Sequence, residues 1–447
     1  MNAPTKVPSL QQALDNAGSA VKLLWKPNTP TSKVPVVRPE FTSWQDEQRA
    51  WEEDVALYDL SHHMFDTVID GPDAKRLLSD ISANNYEKFA IGQAKQFVAV
   101  SPEGYLIQDA ILLRLAEDRF HLIGIGTAQN WVMYHAKAGD YDVQITTDPS
   151  SDFRGGADPI LFRYQVQGPK AGGLLERMFG ESLDGIKFFH FREIEFAGKK
   201  FNALRHGMAG QAGFEFFGPW ELGAFVKQQI LEAGEADGIK QVGGLAYYMA
   251  GVDSGWLATP VAAVYTSPEL QGYREFTSLY SYEGSGALQG TFYSPDIKDY
   301  YRTPYEMGYG RSVSFNHDFI GREALETMRE NVTRTKVTLV WNKEDVKRVF
   351  GDNLLAAHSY TKDRIEVEGE LVGVSEYSTY MAPAGEIHSL AIIDNGHAET
   401  GTEVVVLWGQ HPGPGAGPDY KADFAQIRAT VHPAPYTDYA RTQYRAD

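Results

Sequence analysis

The sequence predicts an α+β protein: two similar units of mixed strands and helices, followed by an all-β domain. Three observations carry that expectation. Strands and crossover helices alternate up to about residue 334, a strand-Gly-Pro-helix step occurs twice, and from Thr335 onward short strands run without intervening helices. A chain of 447 residues exceeds one ordinary core, so domain boundaries are drawn at 1–150, 151–334 and 335–447.

Residues 36–58, where Trp44, Trp51, Leu57 and Tyr58 recur among Glu, Gln and Arg, read as an amphipathic helix leading into an extended Asp66–Asp70. The turn Gly71-Pro72-Asp73 opens a helix over Ala74–Ile81. Strands Lys95–Val100 and Tyr105–Leu115 form a hairpin on Ser101-Pro102-Glu103-Gly104, Phe120–Gly124 extends the sheet, and Ala128–Gly139 is helical. The second unit repeats that order. Strand Arg163–Val166 meets Gly168-Pro169, helix Lys170–Phe179 follows, then strands Phe196–Leu204 and Gly213–Phe217 and helix Glu221–Ala233. The match of Ile69-Asp70-Gly71-Pro72 with Val166-Gln167-Gly168-Pro169 marks an internal duplication. The strands Lys336–Trp341, Ile365–Val367, Leu371–Ser378, His388–Ile393, Glu403–Leu407 and Ile427–Val431 then fit a small barrel or sandwich.

A formal charge of −18 repels nucleic-acid phosphates and anionic membranes, so neither is an expected partner. No apolar run approaches the ~20 residues that span a bilayer, and no basic segment precedes an apolar core near the start; a soluble, cytoplasmic protein is expected. The absence of cysteine removes disulfides, thiol nucleophiles, thiolate metal sites and iron–sulfur ligation together.

Thr303–Leu325, TPYEMGYGRSVSFNHDFIGREAL, reads by itself as a glycine-rich turn running into a helix, with Asp318 as N-cap and Glu323 in the first turns. Its order of glycines, acidic residue and closing Asp-Phe-Ile-Gly-Arg-Glu-Ala-Leu resembles the signature of the folate-binding aminomethyltransferase superfamily. That group includes the T-protein of the glycine cleavage system and the tetrahydrofolate-dependent O-demethylases. The resemblance covers about residues 36–435. It implies the T-protein fold, and transfer of a one-carbon group to or from N5 of a reduced folate.

Glu215 stands on a strand after the glycine-rich bend of LRHGMAGQAGFEFFGP, where a carboxylate can accept paired hydrogen bonds from the edge of a pterin. Among Phe214, Phe216 and Phe217 its charge needs a partner. By resemblance Glu215 aligns with the family's pterin-holding glutamate. His206-Gly207-Met208-Ala209-Gly210 replaces the usual Tyr-Thr-Gly-Glu, a form shared with the aromatic demethylase branch. Gln165 and Gln167 lie on one strand face, either as pterin-binding amides or as hydrogen-bonded core glutamines. Tyr247, Tyr248 and Trp256 lie close together in AYYMAGVDSGW. Similarity to the vanillate and syringate O-demethylases implies Tyr247 beside the methoxy group and Trp256 packed on the pterin, with Tyr248 a further folate contact.

Ser61-His62-His63-Met64 occurs in the same branch, which implies His63 as ligand of the phenolic oxygen and His62 as scaffold. Adjacent histidines point to opposite sides of an extended chain, which disfavours a shared metal. In SPEGYLIQDA, Gln108 replaces one of two family acids and Asp109 keeps the other, which disfavours a cationic amine substrate.

The resemblance thus implies transfer of the methyl of an aromatic ether to tetrahydrofolate. Tyr247 would donate to the leaving oxygen, His63 orient the ring, and Glu215, Gln165, Gln167, Trp256 and Tyr248 hold the folate. Without cysteine, the cytochrome P450 and Rieske routes to ether cleavage are closed. Positions that grip the vanillate carboxylate in that branch align with Val34 and Ile125, and a pocket glutamine aligns with Leu60. These apolar replacements point to another methoxyarene, dicamba-, syringate- or guaiacol-like. The alternatives are a T-protein-like aminomethyltransferase, which needs a lipoyl carrier, and a non-catalytic folate-binding protein. The aromatic branch implies neither a lipoyl nor a corrinoid partner.

Overall fold

The computed structural model describes residues 7–31, 33–421 and 423–445. In chain order its strands begin with β1 (Ala56–Asp59), β2 (Phe65–Asp70), β3 (Ala94–Val100), β4 (Leu106–Ala116), β5 (Arg119–Gly124) and β6 (Gln144–Asp148). They continue with β7 (Leu161–Gln167), β8 (Phe191–Phe196), β9 (Lys199–Leu204), β10 (Gly213–Pro219) and β11 (Lys240–Val242). Two sheets of one design result, ordered β3-β4-β5-β2-β6 and β8-β9-β10-β7-β1, the second extended by β11.

β2 and β7 hold equivalent places, and each ends in Gly-Pro. Gly71 and Gly168 have φ of +137° and +136°, and a Cβ would lie 2.3 Å from the Asp142 carbonyl oxygen in one and 2.5 Å from that of Asp54 in the other. Both positions therefore require glycine. Gly71→Ala and Gly168→Ala are each expected to cost on the order of 2 kcal/mol, and thermal melting should show similar losses for the two.

The duplication departs from the expected units in one respect. β1 pairs antiparallel with β7, and β6 pairs antiparallel with β2. β1, ahead of the first Gly-Pro strand, thus lies in the second sheet, while β6, ahead of the second, closes the first, so residues 1–150 contribute to both sheets. For the same reason residues 36–58 are not one helix. The helix spans Trp44–Glu53, capped by Ser43, and the chain then extends as β1 into the second sheet. The expected strand Phe196–Leu204 is the second arm of the hairpin β8–β9, which reverses at Ala197-Gly198, both with positive φ.

The remaining strands are β12 (Arg334–Trp341), β13 (Asp363–Val367), β14 (Glu370–Met381), β15 (Glu386–Asp394), β16 (Glu403–Trp408) and β17 (Ala425–Pro433). They close into a barrel in the order β12-β15-β14-β13-β16-β17 around Leu339, Ile365, Ile387, Val406 and Ile427. A helix, Lys343–Phe350, interrupts the run of strands, capped by Asn342. Buried Glu376 on β14 binds the barrel to the preceding segment: Arg302 Nε donates to one of its oxygens at 2.5 Å and Lys362 Nζ to the other at 2.6 Å.

The Thr303–Leu325 segment works structurally. Glu306 accepts from Thr303 N at 2.7 Å and from Arg334 Nε at 2.6 Å, which anchors it to β12. The helix-capping position falls to Gly321 (φ +84°), whose Cβ would lie 2.3 Å from the Ser101 carbonyl oxygen. Asp318 does not cap; it pairs with Arg322 at 2.6 Å. Among the described residues no helix is long and apolar enough to cross a membrane.

Candidate active site

A cavity of about 660 Å³ draws its walls from both α+β units and from the barrel. The turn between β1 and β2 supplies His63, and the helix Gly244–Asp253 supplies Tyr247 and Tyr248. That helix is pinned at its start, where Gly243 N donates to Glu47 Oε2 at 2.7 Å and Leu245 N to the Pro39 carbonyl at 3.1 Å.

His63 Nε2 lies 2.7 Å from the Tyr247 hydroxyl. Burial pushes the His63 imidazole down to about 4 and the Tyr247 phenol well above its usual value. Near neutral pH the pair is therefore a neutral ring and a protonated hydroxyl. Nδ1 of His63 is buried without a partner. If Nε2 carries the ring proton and donates to the tyrosine oxygen, the phenolic proton is free to be given elsewhere. His62 turns away, with Nδ1 3.0 Å from Ser151 Oγ and its ring edge-on to Trp220. Residues 61–63 form a turn, so the extended-chain argument does not describe them, although the rings do diverge.

Trp256 lines the same cavity, its indole Nε1 donating to Asp109 Oδ2 at 3.0 Å. Gln96 Nε2 donates to that oxygen at 3.0 Å, while burial raises the Asp109 carboxyl. Gln108, in place of the second family acid, donates to the Ala258 carbonyl at 3.1 Å and so braces the loop after Trp256.

Glu215, Gln165 and Gln167 were expected beside the folate with Trp256, but they are not among the residues lining the cavity. Glu215 has a protein partner. Arg163, on the same strand face as the two glutamines, donates through Nη1 to Glu215 Oε1 at 2.5 Å and through Nη2 to Asp66 Oδ1 at 2.6 Å. His121 Nε2 lies 2.6 Å from that same Asp66 oxygen, which links β2 and β5 to β7 and β10 of the other sheet. Burial alone would raise the Asp66 carboxyl; Arg163 and His121 more than offset it and hold it below the usual range. The two amides are chained: Gln165 Nε2 donates to Gln167 Oε1 at 2.6 Å, which also accepts from Ala209 N at 2.8 Å, and Gln167 Nε2 donates to the Gln211 carbonyl at 2.9 Å. Gln165 Oε1 is left buried without a donor.

Of the expected substrate contacts, Ile125 lines the cavity and Val34 and Leu60 do not. The latter two pack behind Tyr247 with Trp44, Trp51 and Tyr58, where the backbone course places them in the core. Tyr282, His358, Tyr360 and Tyr377 line the cavity and were not foreseen, because they reach it from separate loops and from the barrel. Arg163 was legible: a cation alternating with two amides on a strand needs an anion nearby.

A family model described as the GCVT N-terminal domain matches residues 20–259. The chain is 38% identical over 452 aligned residues, 98% of this chain and 97% of the other, to the syringate O-demethylase of Sphingobium sp. strain SYK-6. It is 28% identical over 406 residues, 83% of each chain, to the sesamin methylene transferase of Sinomonas sp. strain No.22. The crystal structure of the glycine cleavage system aminomethyltransferase T from Bartonella henselae shares its fold, with a TM-score of 0.62 at 19% identity over 89% of this chain and 90% of that one. The duplicated sheets, the closing barrel and these similarities together place the chain in the glycine-cleavage T-protein family of folate-dependent transferases.

Proposed function

We propose that the protein is an aryl O-demethylase that moves the methyl of a methoxyarene to tetrahydrofolate, leaving a phenol and 5-methyltetrahydrofolate. The observation that carries this reading is the 2.7 Å contact between His63 and Tyr247 on a cavity wall, in a chain similar along nearly its whole length to a syringate O-demethylase. When bound, tetrahydrofolate supplies the nucleophilic nitrogen that takes the methyl.

Phenolate is a poor leaving group, so the protein's part is to stabilise charge on the ether oxygen as it develops. Tyr247 remains protonated, and with His63 Nε2–H donating to its oxygen its own hydroxyl is free to donate a hydrogen bond to that ether oxygen. Trp256 and Tyr248 offer aromatic faces to a flat pterin, with Trp256 fixed in rotation by Asp109. Gln165 and Gln167 stand behind the cavity wall, chained to each other and to the bend at 208–211, which carries Met208 into the lining. Glu215 would act from behind the wall, through the Arg163 network.

On the substrate side Ile125 presents an apolar surface where the vanillate-type carboxylate grip is expected. This supports a guaiacol-like ether, or a dicamba- or syringate-type acid whose carboxylate is held away from Ile125, over vanillate. Mass detection of 5-methyltetrahydrofolate across a methoxyarene panel tests the assignment: vanillate as best substrate would overturn it.

The pH profile follows from the same pair. His63 loses function only as pH falls toward about 4, and Tyr247 only well above 10. Turnover of an ether that does not itself titrate is therefore expected to stay level between those limits. A rate that falls below about pH 6.5, the usual value for an imidazole, would show that burial does not hold the His63 ring neutral.

A further inference from the structure

The far wall of the cavity holds a polar side chain that the methyl-transfer reading does not use. His358, 8% exposed, follows the short turn Leu354–Ala357 and lines the cavity, and neither of its ring nitrogens has a partner. Its backbone is secured independently. His358 N donates to the Leu355 carbonyl at 3.0 Å, Ser378 Oγ donates to the Ala357 carbonyl at 2.6 Å, and Ser359 and Ser378 exchange two backbone hydrogen bonds at 3.0 Å. The ring therefore has no part in holding this turn. Leaving a buried polar group unpaired is destabilising, so the position calls for a ligand that offsets it.

The place of the ring says which ligand. His63 meets Tyr247 with ring centroids 4.6 Å apart, Tyr247 meets Tyr248 at 5.6 Å, Tyr248 meets Tyr360 at 6.3 Å, and Tyr360 meets His358 at 6.3 Å. An aromatic wall runs from the reacting pair to His358. A methoxyarene is a single ring, whereas the rings of Tyr248 and Tyr360 stand between Tyr247 and His358 along that wall. Folate is longer: beyond its pterin it carries a benzoyl ring and an amide. Burial pushes the His358 imidazole down to about 4, so the ring is neutral and offers one N–H and one lone pair. An amide, itself a donor and an acceptor, matches that pair better than a carboxylate does. Neighbouring polar groups are already committed: Lys362 Nζ donates to Glu376, and Ser359 Oγ donates to Thr361 Oγ1 at 2.9 Å.

We infer that His358 is a hydrogen-bonding contact for the p-aminobenzoylglutamyl part of folate, an inference that rests on the folate reading above. His358→Phe keeps the ring volume and removes both nitrogens. By titration calorimetry it should weaken tetrahydrofolate binding about tenfold, the weight of one to two neutral hydrogen bonds. The KM for the ether should not move. A tetrahydropterin lacking the p-aminobenzoylglutamate should bind wild type and variant equally, and His358→Gln, with a donor and an acceptor, should recover much of the folate affinity. Unchanged folate affinity in His358→Phe, a raised KM for the ether, or an equal loss toward the truncated pterin would overturn the assignment. Should His358→Phe fail to fold, His358→Leu and His358→Gln compared on the same two pterins decide the matter. Failure of the wild-type protein to bind tetrahydrofolate would instead refute the folate reading itself.

Discussion

Tyr247→Phe is expected to lower turnover by roughly 10²- to 10⁴-fold, the range for losing a positioned proton donor. The affinity for tetrahydrofolate should stay within about twofold, because the residue faces the ether oxygen in this account and Trp256 and Tyr248 carry the pterin contact. The variant keeps the ring that packs against Tyr58 and His63, so the fold should survive, with centroids otherwise 6.2 and 4.6 Å apart. It also strips His63 Nε2 of its 2.7 Å partner. His63→Phe should therefore lose less than Tyr247→Phe, and the double variant should lose less than the product of the two, as expected for residues acting as one unit. Unchanged turnover in Tyr247→Phe with folate still bound would remove the phenol from the mechanism.

The second large effect is on stability. Arg163 is buried between Glu215 and Asp66, with a donor to each. Arg163→Met should cost about 3–5 kcal/mol, because two carboxylates are left buried with His121 as the nearest base. Thermal melting should show a lower transition, and the two sheets should loosen together since Asp66 belongs to β2 and Glu215 to β10. Neutralising the whole set, as Arg163→Met with Glu215→Gln and Asp66→Asn, should recover much of the loss; a buried ion network replaced entirely is often close to neutral. A single Arg163→Met change that melts like wild type would show that the network contributes little.

Much of the architecture could be read from residues. Short runs of strand-forming residues between Gly/Asn/Asp turns placed every barrel strand, and each pairs with its neighbours in a closed ring. The Gly-Pro repeat disclosed the duplication, and its reason is steric: both glycines face a carbonyl that leaves no room for a side chain. What escaped was the passage of β1 into the second sheet. Local pattern shows that a strand exists, whereas the sheet it joins depends on long-range pairing. Asp318 failed as a cap for a related reason, since Gly321 packs on Ser101 and ends the preceding loop three residues later than the sequence pattern indicates.

The site was partly legible. His63, Tyr247, Tyr248, Trp256 and Ile125 line one cavity, as motifs close in sequence had suggested. Glu215, Gln165, Gln167, Val34 and Leu60 are not in its lining; a buried carboxylate asks for a cation, and Arg163 supplies one to Glu215. His358 and Tyr377 come from the barrel, far along the chain, where no local motif announces them.

The central claim is that an intact methyl group passes from an aryl ether to a reduced folate inside this cavity. Incubation with tetrahydrofolate and a trideuteromethyl aryl ether, followed by mass analysis of the folate, tests it most directly. The account predicts 5-methyltetrahydrofolate that retains the whole trideuteromethyl group, formed together with an equal amount of phenol and only when tetrahydrofolate is present. Loss of deuterium in the folate product, release of labelled formaldehyde, or phenol formed without tetrahydrofolate would contradict it.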